Sequence, residues 1–447
     1  MIAAVFAVAA TLTVPTFGSV SLYQPAASPS EVVLLVSGDA GVTAEVVAIA
    51  EQLRSRGVLV VAIDLRSLRR GLEESESCTY PAGDFEELAR NIQLHVRLPA
   101  YERPLLVGYQ SGAALVYAAL ASAPAETFKG GVSIGFCPVF RLRIPLCEFR
   151  GLKTRRSGRS SYRLEPDASL KVPWIVLQGE ADRICTPASA RAFAAQTGSA
   201  RVIQVTGAGH SLSGHTPVPQ LDEAYRALSV EPRGVEVPRA PIPETSDLSL
   251  IEVPAATPVT RDVMAILLTG DGGWAELDKS VATGLAAAGV PTVGWSSLRY
   301  FWSPRTPEQT AADLARVIGR YARAWNKPRV TLIGYSFGAE VLPFLVTRLP
   351  PDVSSRVVDV VLLGPGLTAS FEFHVAEWFG GSKPTSYRTV PEIQKLQLPV
   401  ICVYGEGETD SACPSLKSPN ITTIAIGDGH HFGGDYQRLV NVILARR

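Results

Sequence analysis

Ser336 stands in Gly334-Tyr335-Ser336-Phe337-Gly338, between the apolar run Val330-Thr331-Leu332-Ile333 and the apolar stretch Ala339 to Val346. A serine flanked this way at a strand-to-helix junction has the spacing of a nucleophile elbow. The two glycines let the backbone turn tightly without Cβ clashes, so the hydroxyl stands at the strand tip. Such a serine attacks a carbonyl carbon, and it needs a base to take its proton and an acid to orient that base. In elbow-bearing chains the acid comes after a late strand and the histidine after the last one. Asp410 follows Val400-Ile401-Cys402-Val403-Tyr404-Gly405, and His430 follows Ile421 to Ile426 and the turn Gly427-Asp428-Gly429. On this reading His430 is the base and Asp410 holds its tautomer. Glu406 and Glu408 share the loop with Asp410. The Asp-x-x-Cys spacing common to Asp182–Cys185 and Asp410–Cys413 selects Asp410, with Glu408 as the alternative. His431 is the alternative to His430, and His374, in an insertion with aromatics, reads as structural or pocket-lining.

The developing oxyanion needs backbone donors. In this architecture they are the amide after the nucleophile, Phe337, and one from an early strand-end loop. Gly270-Asp271-Gly272-Gly273-Trp274 is a glycine-rich turn after an apolar run, so Asp271 or Gly272 supplies the second amide. The same run lacks the spacing of a phosphate-binding loop. Carboxylates gather around the serine: Asp271, Glu340 one helical turn past Ser336, Glu406 and Glu408. An acidic rim attracts a cationic substrate. The plainer alternative is that Asp271 caps its own turn and Glu340 forms a structural ion pair.

The elements that must position these groups occur twice. Gly38-Asp39 parallels Gly270-Asp271, Ser67-Leu68-Arg69 parallels Ser297-Leu298-Arg299, and Gly108-Tyr109 parallels Gly334-Tyr335. Gly179-Glu180 parallels Gly405-Glu406, and Gly207-Ala208-Gly209-His210 parallels Gly427-Asp428-Gly429-His430. The offsets run in order from 232 (Gly38 to Gly270) down to 220 (His210 to His430). In the second copy apolar runs predict strands at 263–269, 290–295, 329–335, 357–363, 398–404 and 421–426. Helices are predicted at 276–288, 307–323, 337–348 and 435–446. Thr306-Pro307-Glu308-Gln309 is a helix start with a capping box. Strands rich in Val, Ile and Leu without alternation suit a sheet buried on both faces. Strand–helix alternation implies parallel strands. The expected fold class is therefore α/β: two tandem α/β-hydrolase-like domains, each a doubly wound, mainly parallel sheet.

The domain plan is a leader-like segment at 1–22, a first domain at 23–230, a proline-rich linker at 231–248 and a second domain at 249–447. The 447 residues suit two domains, and 46% apolar content gives each a core. Net charge is zero, which argues against a nucleic-acid partner. Met1 to Pro15 is apolar, followed by small residues, and reads as the hydrophobic part of a secretory signal without a basic start; a buried first strand is the alternative. None of the six cysteines lies at zinc spacing, and no cofactor or metal is expected. In an exported chain Cys137 and Cys147 are one candidate disulfide pair.

The first copy reads Gly108-Tyr109-Gln110-Ser111-Gly112, with Gln110 at the nucleophile position and Ser111 one residue out of register. Asp182 and His210 stay at the acid and base positions. An amide cannot attack a carbonyl usefully, so this copy is read as non-catalytic. Between residues 141 and 163 it carries Arg141, Arg143, Arg150, Lys153, Arg155, Arg156, Arg159 and Arg163. This run either docks on an anionic membrane surface or is a solvated loop.

Five segments together carry a family resemblance: Leu267 to Trp274, Ser297 to Trp302, Arg305 to Thr310, Ile333 to Glu340 and Gly429-His430-His431-Phe432. They resemble the VirJ/AcvB family of bacterial virulence proteins, and the two-copy layout is similar to the AcvB type. The resemblance implies a periplasmic location and hydrolysis of lysyl-phosphatidylglycerol to lysine and phosphatidylglycerol. The substrate is then an aminoacylated phospholipid, with Ser336, Asp410 and His430 as triad. It also implies a link to type IV secretion substrates, so a non-catalytic adaptor is the competing reading.

Overall fold

In a computed structural model, the structure describes residues 10–74, 78–124, 127–148, 150–211, 218–229, 248–255, 261–372 and 386–445, with 214, 216 and 245. His374 and most of the linker lie outside them. The chain divides into two compact units.

The first unit is built on an eight-stranded sheet. Its order is Ala10–Val14, Gly18–Tyr23, Val58–Ile63, Glu31–Val36, Leu105–Tyr109, Gly130–Ile134, Trp174–Gly179 and Ala200–Val205. The second has seven strands: Leu250–Val253, Thr292–Trp295, Val263–Leu268, Arg329–Tyr335, Val357–Leu363, Val400–Glu406 and Ile421–Asp428. At one side of the first sheet an antiparallel hairpin, and of the second a single antiparallel strand, precedes a wholly parallel series. The central strands are apolar because helices cover both faces. Val263–Leu268 is buried at all six positions, and each such side chain contributes about 1.5–3 kcal/mol relative to exposure. Separate apolar cores lie on the two faces of each sheet. The fold is α/β, with two tandem hydrolase-like units, as the repeat implied.

Helix Pro307–Ala324 begins as its sequence dictates. Thr306 Oγ1 accepts the Gln309 amide at 3.1 Å, and Gln309 Oε1 accepts the Thr306 amide at 3.1 Å. Helices Glu276–Ala287, Phe337–Val346 and Tyr436–Leu444 end within a few residues of their predicted limits.

Three expectations are corrected. Residues 10–22 are not a separate leader. Ala10–Val14 and Gly18–Tyr23 form a hairpin, the latter strand pairs with Val58–Ile63, and Val14, Phe17, Val20 and Leu22 are core. The first unit thus begins no later than Ala10, and residues 1–9 lie outside the described residues. The second unit begins before 249, because Leu248 is buried in its core. Cys137 does not pair with Cys147: the disulfides are Cys78–Cys147, Cys137–Cys185 and Cys402–Cys413.

Candidate active site

Strand Arg329–Tyr335 ends at Ser336, and helix Phe337–Val346 starts one residue later. Ser336 has φ 50° and ψ −118°, a left-handed conformation costly for a residue with a Cβ. The turn depends on two close approaches. A Cβ on Gly338 would sit 2.3 Å from the Leu268 carbonyl oxygen, and one on Gly334 would sit 2.5 Å from that of Gly338. The Ser336 amide donates to Leu363 O at 2.8 Å, which fixes the elbow to the neighbouring strand.

His430 reaches the serine from the loop after Ile421–Asp428. Its Nε2 lies 2.8 Å from Ser336 Oγ. Its Nδ1 lies 2.5 Å from Glu408 Oε1. Glu408 Oε2 accepts the Gly405 amide at 3.0 Å, so both carboxylate oxygens are engaged. The Glu408 side chain is only 7% exposed. The series Glu408–His430–Ser336 has the order and contacts needed to draw a proton from a hydroxyl and hold the resulting imidazolium.

This corrects the acid. Asp410 is exposed and has no part in the hydrogen-bonded series. The cysteine spacing that pointed to it is coincidental, since Cys185 bonds to Cys137 whereas Cys413 bonds to Cys402. A sequence signal for Glu408 existed. Counted from the strand-end glycine, Asp182 is the third residue after Gly179 and Glu408 the third after Gly405. Both close the same turn, with the acid's amide donating to the glycine carbonyl at 3.2 Å.

His431 has another task. Its Nδ1 meets the Tyr335 hydroxyl at 2.9 Å, and the Tyr335 ring stacks on His430 with centroids 5.6 Å apart. This support was not visible in the sequence. The loop expected to furnish an oxyanion donor lies against the serine: a Cβ on Gly270 would be 3.5 Å from the Ser336 Cβ. Asp271 and Gly272 follow in that loop, Gly273 closes it at φ +74°, and Phe337 opens the helix on the other side. Ser297 ties the loop down, with its amide on Thr269 Oγ1 at 2.9 Å and its hydroxyl on Thr269 O at 2.6 Å.

The predicted substrate carboxylates separate. Glu406 is exposed at the strand end, and Glu408 is the orienting acid. Glu340 is largely buried beside Gly366, whose backbone bonds to it. Burial, then the Asp271 carboxylate, and more weakly Asp410, push its carboxyl up to about 7. Glu340 is therefore near enough to Asp271 and Asp410 to feel the charge of each, and Asp410 joins this acidic group instead of the hydrogen-bonded series.

The first unit repeats the elbow without the nucleophile. Gln110 has φ 51° and ψ −114°, and its amide donates to Ile134 O at 2.7 Å. His210 Nδ1 meets Asp182 Oδ2 at 2.8 Å. Ser111 turns away, donating to Asp39, which also binds Arg69 at 2.6 Å. The basic segment forms an antiparallel sheet of Val139–Arg141, Ser161–Leu164 and Thr154–Gly158. All eight cations are exposed, and Arg143, Lys153 and Arg155 meet Glu73, Glu148 and Glu165.

The family described as bacterial virulence protein (VirJ) matches residues 262–447, and the family of TAP-like proteins matches residues 142–227. No curated relative matches the chain. Among solved structures, a putative dienelactone hydrolase from Klebsiella pneumoniae subsp. pneumoniae is 18% identical. It covers 50% of this chain and 97% of its own, with a TM-score of 0.35. An alpha-beta serine hydrolase homologue from Coxiella burnetii is 17% identical, covering 49% and 95%, with a TM-score of 0.33.

Proposed function

We propose that the chain, whose residues 262–447 match the family described as bacterial virulence protein (VirJ), is a periplasmic serine esterase acting on lysyl-phosphatidylglycerol. The carrying observation is the Glu408–His430–Ser336 series, with contacts of 2.5 and 2.8 Å. The family matches support a hydrolase. The substrate is the one the VirJ/AcvB resemblance implies, and the site's chemistry fits it: the bond is a carboxylic ester, the head group is cationic, and the carboxyl groups of Asp271, Glu340 and Asp410 lie beside the nucleophile. Three disulfides among the described residues support an oxidising compartment.

His430 Nε2 takes the Ser336 proton as Oγ attacks the lysyl carbonyl carbon. Charge develops on the carbonyl oxygen between the 270–273 loop and the Phe337 amide. Collapse expels the glycerol oxygen of phosphatidylglycerol, which receives the proton from His430. Water, deprotonated by the same ring, then releases lysine. Glu408 holds the imidazolium throughout without taking its proton. The exposed basic sheet at 139–164 faces an anionic bilayer, where each cation near the surface contributes about 1 kcal/mol. The first unit, with Gln110 at its elbow, binds without catalysing.

Ser336→Ala tests the reading. The variant loses lysine release from lysyl-phosphatidylglycerol vesicles and covalent labelling by a fluorophosphonate, with unchanged circular dichroism. Full lysine release by the variant refutes the esterase. Labelling of the wild type at Ser336 without any lysine release refutes the substrate alone.

A further inference from the structure

The first unit keeps an oriented imidazole with no nucleophile to serve. Around it the topology gathers a different chemistry. Gly130–Ile134, Trp174–Gly179 and Ala200–Val205 are consecutive neighbours in the sheet, and the loops leaving their carboxyl ends carry Cys137, Cys185 and His210. One ligand atom from each lies within 4.8 Å of the other two. We propose that Cys137, Cys185 and His210, once the cysteine pair is reduced, form a binding site for a thiophilic divalent cation of the Zn²⁺ class.

The donor set suits such an ion. Two thiolates and an imidazole give a three-ligand site whose fourth tetrahedral position stays open to water. The surrounding bonds are those that fix metal ligands. Asp182 Oδ2 holds His210 Nδ1 at 2.8 Å, and carboxylates commonly orient ligating imidazoles in this way. Asp182 Oδ1 accepts the amides of Ile184 and Cys185 at 2.8 and 2.9 Å, so one carboxylate positions two of the three ligands. Gln178 Nε2 then binds Asp182 Oδ2 at 2.7 Å and Cys185 O at 2.6 Å. Asp182 is 3% exposed and Cys185 is 3% exposed, so the frame is built into the core.

The second unit shows that the fold's hydrolytic plan does not require this cluster. Gly135 and Gly364 occupy the same place beside His210 and His430, so Cys137 corresponds to Gly366, which there seats Glu340. Cys402 and Cys413 pair with each other, fully buried. The disulfide Cys137–Cys185 is the competing state of the proposed site. A dithiol supplies two electrons and two protons to open it and leaves as its own disulfide. Cation binding then releases the two thiol protons.

The full chain, reduced with a phosphine under nitrogen, is titrated with Co²⁺ and followed by its sulfur-to-metal charge-transfer and visible bands. One Co²⁺ per chain is expected, displaced by Zn²⁺, with none bound by the oxidised protein. Cys137→Ser and Cys185→Ser abolish the bands, whereas Cys78→Ser and Cys402→Ser keep them. His210→Ala shifts the visible bands and weakens binding at least tenfold, and Asp182→Asn weakens it roughly 10–100-fold. A measurement on the unaltered chain guards against misfolded variants: Zn²⁺ protects Cys137 and Cys185, and not Cys78, from alkylation read by mass spectrometry. Absence of bands in the reduced chain, bands indifferent to Cys137→Ser or His210→Ala, or no selective protection overturns the proposal.

Discussion

Replacing Glu408 by glutamine leaves the side chain's size and removes its charge, which makes it the sharpest probe of the proton relay. Glu408 Oε1 faces His430 Nδ1 at 2.5 Å and Oε2 faces the Gly405 amide at 3.0 Å. A glutamine can offer an oxygen to only one of these. If its oxygen stays on the Gly405 amide, its NH₂ points at Nδ1. The ring must then carry its proton on Nε2, facing Ser336 Oγ, where it can no longer accept the serine proton. If the amide flips, the Gly405 amide loses its partner and the imidazolium still loses its counter-charge. An acid-to-amide change of this kind costs about 10³–10⁴-fold in kcat, or about 4–5.5 kcal/mol of transition-state stabilisation. Asp410→Asn, in the same loop but exposed, changes kcat by less than about threefold on the same reasoning about surface charges. The assay is steady-state lysine release by both variants, alongside the rate of fluorophosphonate labelling, which needs the same activated serine. A full-rate Glu408→Gln enzyme, or an Asp410→Asn enzyme as crippled as expected for Glu408→Gln, refutes the assignment.

Glu340 binds its proton more tightly folded than unfolded, so its contribution to stability is present in acid and is lost as pH rises from about 4.5 to about 7. Glu340→Gln removes that loss. Thermal denaturation shows no gain at pH 4 and a gain of up to roughly 3 kcal/mol at pH 8. The ionisation also acts on binding: KM for the lysyl substrate falls in wild type as pH rises through about 7, and this step is absent in Glu340→Gln. Gly338→Ala drives a Cβ to 2.3 Å from the Leu268 carbonyl. It destabilises the second unit by about 3 kcal/mol or more, visible as a lowered Tm of its transition. Removing the Cys402–Cys413 link, whose ends are 11 residues apart, costs about 3 kcal/mol by loop-closure entropy, read from urea midpoints of the oxidised wild type and the double alanine variant.

The parallel strands and their helices were legible because their physics is local: unbroken Val, Ile and Leu runs, a capping box at Thr306, and glycines where a Cβ cannot fit. Ser336 and His430 were legible because strand and turn order dictate their places. Strand Leu250–Val253 was missed, since it is partly exposed and carries Glu252 amid proline-rich sequence. Glu408 was passed over because a cysteine was used as the ruler. A cysteine's partner is a long-range fact, whereas the strand-end glycine sets the turn that carries the acid. The Tyr335–His431 contact joins residues 96 apart, and no spacing rule anticipates such a meeting. The Glu340 environment depends on loops from three strands, so its burial emerged only on folding.

The hairpin at residues 10–23 changes what proteolytic maturation can tolerate. Val20 to Tyr23 lie against Ile63 to Val60 and occupy that strand's outer hydrogen-bonding side. A protease cutting after residue 22 would strip this cover and leave Val58–Ile63, six apolar residues, as a bare sheet margin. Such a margin recruits other chains edge to edge. Any trimming compatible with a monodisperse product must therefore spare Gly18–Tyr23.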